Sequence, residues 1–212
     1  GNLEFRIVAN TRDHEATVAL AEAQAKDPDP AKRISKFVRR GDKTVGFWAQ
    51  GDRKALRAAE VESTIVRNAA TGDFLDFRTL SQPIKSSDQT LGDFLDANKL
   101  ENVDILVETD DGCDVTGSNL GMVSGGTSQY LEPSVHFRLK GEGIGKFQAL
   151  TGANTPDLDS SPPFYRHLGI VLDDKLLSFP RLKSMISDQG EITGGFDAAE
   201  VDFLVGILRA GR

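Results

Sequence analysis

Over residues 3–8 the apolar side chains Leu3, Phe5 and Ile7 alternate with Glu4 and Arg6, a period of two that predicts a half-buried strand. The period then lengthens. Ala16, Leu20 and Ala23 fall at i, i+4 and i+7, so a helix is expected over 11–25, capped by Thr11 or Asp13. Asp27-Pro28-Asp29-Pro30 breaks it, and Pro30 suits the first turn of a second helix. In 31–40, Ile34, Phe37 and Val38 fit either a helical face or the first arm of a hairpin turning at Gly41-Asp42 into Thr44–Trp48; the hairpin is preferred. A second hairpin is expected about Thr71-Gly72-Asp73, joining 61–67 to 74–79. Leu91, Phe94 and Leu95 share a face of a short helix over Thr90–Asn98, and Val103–Val107 reads as a strand.

The polar, glycine-rich stretches 110–119 and 124–129 are expected to be loops. Val135, Phe137 and Leu139 alternate as in a half-buried strand, and Ile144–Thr151 reads as a helix with Phe147 and Leu150 facing inward. A long loop over 154–166 precedes the buried strand Leu168–Leu172, the turn Asp173-Asp174 and a partner strand Lys175–Phe179. Ile192 marks a short strand ending at Gly194-Gly195. Asp197 with Glu200 has the spacing of a capping box, Val201, Leu204, Val205 and Leu208 form the stripe of the helix that follows, and Gly211 is its C′ stop. The summed pattern is α+β with mostly antiparallel sheets and packed helices.

Composition narrows the function classes. With 25 basic and 32 acidic residues the net charge is −7, which argues against a nucleic-acid coat or an anionic-membrane binder. No apolar run approaches the roughly 20 residues of a membrane span. The single cysteine, Cys113, allows no internal disulfide. The N-terminus has no basic n-region or apolar h-region and is not a signal peptide. Both ends look cut, so the chain is expected to be an excised piece.

The candidate chemistry is thin. Gly141-Glu142-Gly143-Ile144-Gly145-Lys146 suggests a phosphate loop, but Lys140 stands where the first glycine is needed and Phe147 where Ser or Thr would hold magnesium. A glycine-rich turn is the better account. Glu108, Asp110, Asp111 and Asp114 fail the calcium-loop pattern, since Gly112 at its sixth position puts Val107 at the first and Ser118 at the twelfth. A solvated acidic loop is expected instead. His14, His136 and His167 have no metal-ligand spacing, and His136 should face solvent. Nothing local supports Cys113 as a nucleophile. Lys32, Arg33, Lys36, Arg39, Arg40 and Lys43, with Phe37, Phe47 and Trp48 nearby, fit a nucleic-acid patch less well than a solvated face, and Trp48 is expected in the core. No catalytic residue, cofactor site or metal site is expected, and a binding or mechanical module is favoured over an enzyme.

Five segments carry a resemblance. Gly169–Pro180 is similar to a family segment ending Ser-Ala-Pro, with Asp174 and Lys175 where the family prefers Gly and a variable residue, and Phe179 where it has Ala. Glu191-Ile192-Thr193-Gly194-Gly195-Phe196, Glu200 and Leu208-Arg209-Ala210-Gly211 resemble its ITGGF…LRAG pair. Leu3-Glu4-Phe5-Arg6 resembles its LEFR strand, Val115–Leu120 its VTG segment, and Val135–Leu139 with Phe147 a further motif. Together they resemble the SecD protein-export membrane protein family. Residues 10–110 match no quotable motif and are expected to be a divergent region.

The resemblance implies the first large extracytoplasmic (periplasmic) domain of an inner-membrane protein, with ferredoxin-like base elements and an inserted head. On that basis 1–9 and 190–212 would belong to an incomplete base and 10–189 to the head. The domain would contact emerging unfolded preproteins and move during export driven by the proton-motive force, alongside SecF and the SecYEG channel, with no nucleic-acid partner. Gly194 and Gly195 would be either a hinge or a simple turn. A stand-alone hydrolase using Cys113 or an acid pair, and a static scaffold docking the channel, are the competing readings.

Overall fold

The computed structural model describes residues 2–193 and 196–212, so the expectation for Gly194 and Gly195 lies outside the described residues. The chain forms two units, Gly1–Arg6 with Asp111–Asp173 and Phe179–Arg212, and Ile7–Asp110 with Asp174–Ser178. The fold is α+β, and most strand pairs are antiparallel.

In the first unit, β1 (Leu3–Ile7) lies between β9 (Leu168–Leu172) and β6 (Val115–Thr116). A separate three-stranded sheet has the order β11 (Gln189–Ile192), β8 (Pro133–Leu139), β7 (Leu120–Thr127), all antiparallel. Strand alternation drives Phe5 and Phe137 inward, where they meet Phe147 of helix α5 (Gly143–Gly152). The Phe5 and Phe147 rings are edge-to-face with centroids 5.0 Å apart, and Phe137 lies 5.7 Å from Phe147. Each ring removed from water stabilises the fold by about 1.5–3 kcal/mol. Helix α6 (Ala198–Ala210) starts at the expected capping box: the Glu200 N–H donates to Asp197 Oδ1 (2.8 Å) and the Asp197 N–H to Glu200 Oε2 (2.9 Å). Its stripe of Val201, Leu204, Val205 and Leu208 is buried.

The second unit is built on β3 (Lys43–Gly51). Strand β5 (Val103–Glu108) pairs antiparallel along one side of it and carries β4 (Val66–Asn68) beyond. The hairpin partner β2 (Phe37–Arg40) takes the first part of the other side, and β10 (Lys175–Ser178) joins its end in parallel, Lys175 opposite Gln50. Ala9, Val18, Ala21, Val38, Val45, Trp48 and Leu106 form a core cluster, to which helix α1 (Glu15–Ala25) contributes Val18 and Ala21. Short helices follow at α2 (Pro30–Arg33), α3 (Ala58–Val61) and α4 (Leu91–Ala97). Asp29 caps α2 with Pro30 at its first position, and Thr90 with Asp93 forms a capping box on α4.

Five expectations are corrected. Helix α1 begins at Glu15 rather than residue 11, because Asn10 Oδ1 accepts from the N–H groups of Arg12 and Asp13 and holds that stretch in a turn. The second hairpin shrinks to a single bridge, Arg67 to Phe74, after which Asp76 caps a 3-10 helix at Phe77–Thr79; β4 pairs instead with β5. The expected loop over 124–129 is strand as far as Thr127, and 110–119 contains β6. Glycine suits β7 because close neighbours occupy its faces: a Cβ on Gly126 would lie 2.6 Å from the His136 ring, and one on Gly125 3.2 Å from Val201. Gly211 is the C-cap itself at φ −88°, not a left-handed C′ residue. The acidic segment is also less solvated than expected. Glu108 is buried, and Asp111 lies 3.9 Å from Arg6.

Candidate functional site

The first unit has a groove of about 330 Å³ beside β11. One wall is the tight loop after β7. Ser128, itself buried, accepts on its hydroxyl from the N–H groups of Tyr130 and Glu132, and its own N–H donates to the Glu132 carbonyl. That closure sets Leu131 at φ 62° and pushes Tyr130 outward, leaving it 70% exposed. The other wall is the segment Arg181–Ile186. Leu182 is its buried anchor, and its N–H donates to the Arg166 carbonyl at 2.8 Å. At the far end the Ile186 N–H donates to Thr151 Oγ1, also at 2.8 Å. Between these anchors Met185 stands 53% exposed. The groove therefore presents an aromatic and a thioether side chain on backbone fixed from below, beside a strand at the edge of its sheet. A flexible thioether adapts to many apolar partners.

The residues singled out from the sequence do not converge. Gly141 takes φ 57° in the turn before α5, and Gly143 packs on Asn119; the glycines serve the turn. Arg6 hydrogen-bonds Glu4 and Asp114. Burial alone would lower its guanidinium, but the bonds and charges of Glu4, Asp114 and Asp111 raise it. Burial pushes the Asp111 carboxyl up. Asp110 is held low by its hydrogen bond from Lys43, with Arg40 close by. Among the described residues no cluster of acids, histidines or cysteine is arranged to hold a metal ion.

The Cys113 thiol is pushed up by burial and by the charges of Asp111 and Asp114, the reverse of what a nucleophile needs. His14 Nδ1 accepts from the Asn10 N–H, His136 is half-exposed beside Ser134, and His167 packs beside Phe179, where burial and the Arg181 charge lower its imidazole to about 4. Within the basic cluster Lys36 pairs with Asp174, Arg40 and Lys43 with Asp110, and Arg39 lies over the Phe37 ring. Trp48 is in the core, donating from Nε1 to Gln24 Oε1 at 2.9 Å.

Arg67 escaped the sequence reading. It is 1% exposed, with its guanidinium 4.4 Å over the Trp48 ring, bound to Asp104 at 2.9 Å and donating to the carbonyls of Arg33, Ile34 and Ser35. Arg67 and Asp104 are direct cross-strand partners, a relation visible only once β4 is paired with β5. The groove walls were missed too, since exposed apolar residues in loops have no periodicity.

These features define an α+β domain with a partly apolar surface groove beside an open sheet edge. Residues 93–212, more than half of the chain, match the family model of the SecDF P1 head subdomain, and the chain belongs to that family. The matched span includes 190–212. The chain is also similar to the protein translocase subunit SecD of Aquifex aeolicus, 40% identical over 97 residues, and to that of Elusimicrobium minutum, 37% identical over 99 residues. Each match covers 46% of the chain but only 18% and 19% of those relatives, so the chain aligns with a small part of them. A solved structure, described as a membrane component SecDF that enhances protein export, is 20% identical with a TM-score of 0.42, over 99% of this chain and 62% of that one. Among the described residues, no helix is long and apolar enough to cross a membrane.

Proposed function

We infer that this chain is the extracytoplasmic head-side domain of an auxiliary subunit of the Sec export machinery, and that it contacts unfolded preproteins in the groove beside β11. Family membership supports the setting. The observation that carries the contact is the groove itself, with Tyr130 and Met185 exposed on firmly anchored backbone. An unfolded chain offers extended backbone and scattered apolar side chains, and a mixed groove beside a strand edge can hold it without reading one sequence.

The parent protein would be embedded in the inner membrane and work with SecF and the SecYEG channel. Proton-driven movement would arise in the membrane portion and be passed to this domain; none of the residues described here is assigned to proton transfer. No nucleic-acid role is proposed, and no catalytic one. Within this reading, 1–9 and 190–212 are assigned to membrane-proximal base segments and 10–189 to the head.

The test is site-specific photo-crosslinking from Tyr130 and Met185 to a preprotein stalled in the channel. Crosslinks at both, absent from buried control positions, are expected. Their absence while the protein still docks the channel would leave only a static scaffold.

A further inference from the structure

We propose that the open edge of β11 takes an extended polypeptide as an added β-strand, so that recognition in the groove is made chiefly to the ligand's backbone. This rests on the reading of the groove as the preprotein contact.

The register supplies the argument. Strand β11 pairs antiparallel with β8, with Gly190 opposite Phe137 and Ile192 opposite Val135. Just before it, the Leu139 N–H donates to the Asp188 carbonyl at 2.7 Å, which marks Asp188 and Leu139 as a hydrogen-bonded pair. Hydrogen-bonded pairs alternate along an antiparallel ladder, so Gly190 and Ile192 also spend their backbone groups on β8. Gln189 and Glu191 fall between them, and their N–H and C=O groups point away from β8, along the edge that borders the groove. These two residues present donor and acceptor pairs one strand repeat apart, the template for another strand. The inward side is closed to the ligand: Ile192 is buried, and a Cβ on Gly190 would lie 2.5 Å from the Phe137 ring. Tyr130 and Met185 then meet side chains of the added strand.

The register also supplies a clean variant. Proline at 191 removes an outward N–H and leaves the β8 ladder intact, the position at which an edge strand tolerates proline. Glu191→Ala removes the same carboxylate and keeps the N–H. The probe is a short fluorescent peptide of alternating valine and threonine with lysine ends, together with a copy N-methylated at every residue between the lysines so that both of its edges are blocked, measured by fluorescence anisotropy. The parent chain should bind the first peptide, Glu191→Pro should bind it about five- to tenfold more weakly than Glu191→Ala, and the methylated copy should not bind. Strand addition is overturned by failure of the parent chain to bind, by equal binding of the two peptides, or by Glu191→Pro binding like Glu191→Ala. It is also overturned if sedimentation shows that Glu191→Pro converts a dimer to monomer, since the edge would then be closed by a second copy. Crosslinks from Tyr130 and Met185 that persist unweakened in Glu191→Pro sink strand addition and spare the groove; crosslinks missing from the parent chain sink the groove reading itself.

Discussion

Gly117 and Gly211 touch backbone to backbone: a Cβ built on Gly117 would lie 1.6 Å from the Gly211 carbonyl oxygen. Leu3 completes the contact, its Cβ 2.8 Å from where a Cβ on Gly211 would stand. The contact thus joins the LEFR strand, the VTG segment and the LRAG helix end. Two arginines extend it, Arg209 Nε donating to the Val123 carbonyl at 3.0 Å and Arg212 Nη1 to that of Gly121 at 2.7 Å.

Substituting Gly117→Ala should therefore cost about 3 kcal/mol or more, because backbone must move and no flexible side chain can yield. Gly145→Ala is the control. It lies within α5, nothing stands within 4 Å of its added Cβ, and it should stabilise by roughly 0.5–1 kcal/mol. Urea unfolding of both variants measures the contrast, and equal effects would contradict the close contact.

Arg67 predicts a different kind of loss. Burial lowers its guanidinium and raises the Asp104 carboxyl, so desolvation outweighs pairing for both partners. Removing one partner strands the other. Arg67→Met should cost about 3–5 kcal/mol, and the double variant Arg67→Met/Asp104→Leu should recover part of it. A double-mutant cycle in denaturant reads the coupling; additive losses would show that the pair acts separately.

His167 gives the domain a pH dependence. Burial, aided by the Arg181 charge, lowers its imidazole from 6.5 to about 4. As pH falls the unfolded chain takes up the proton first. The His167 contribution is therefore whole above pH 6.5 and is lost as pH drops toward about 4, by about 3 kcal/mol at most. Asp104 and Asp111, both raised by burial, act in the opposite direction, adding stability as pH falls through their folded values. The difference between the parent chain and His167→Phe, which keeps a ring against Phe179, isolates the histidine. Parallel stability–pH curves would contradict it.

The turn at Asp173-Asp174 holds two non-glycine residues at positive φ, 46° and 69°. Asp174→Gly should relieve about 1 kcal/mol of backbone strain. It gives up an exposed ion pair with Lys36, which contributes little. A net gain of about 0.5–1 kcal/mol in thermal or denaturant unfolding is expected; a loss would show that the ion pair dominates.

The strands and helices with strong periodicity were legible from residue spacing alone, from β1 and α4 to the Asp197–Glu200 box of α6. Local competition hid the rest. The Asn10 side chain held back the start of α1, which no hydrophobic pattern reports. Gly125 and Gly126 suggest a loop, yet they pair with Val135 and Ser134 of β8, and the space for a Cβ at each is taken by Val201 and the His136 ring, all long-range relations. The motif segments were recognisable singly, but their meeting at Leu3, Gly117 and Gly211 depends on residues distant along the chain. The groove was least legible, because Tyr130 and Met185 belong to irregular segments whose place is fixed by Ser128, Leu182 and Thr151.

The most direct measurement is photo-crosslinking from Tyr130 and Met185 to a preprotein arrested in the Sec channel, compared with positions buried in the Phe5–Phe137–Phe147 core. Strong crosslinks from both groove positions and none from the core are predicted. A protein that reaches the channel and supports export, yet gives no crosslink from either groove residue, would contradict preprotein contact at this site.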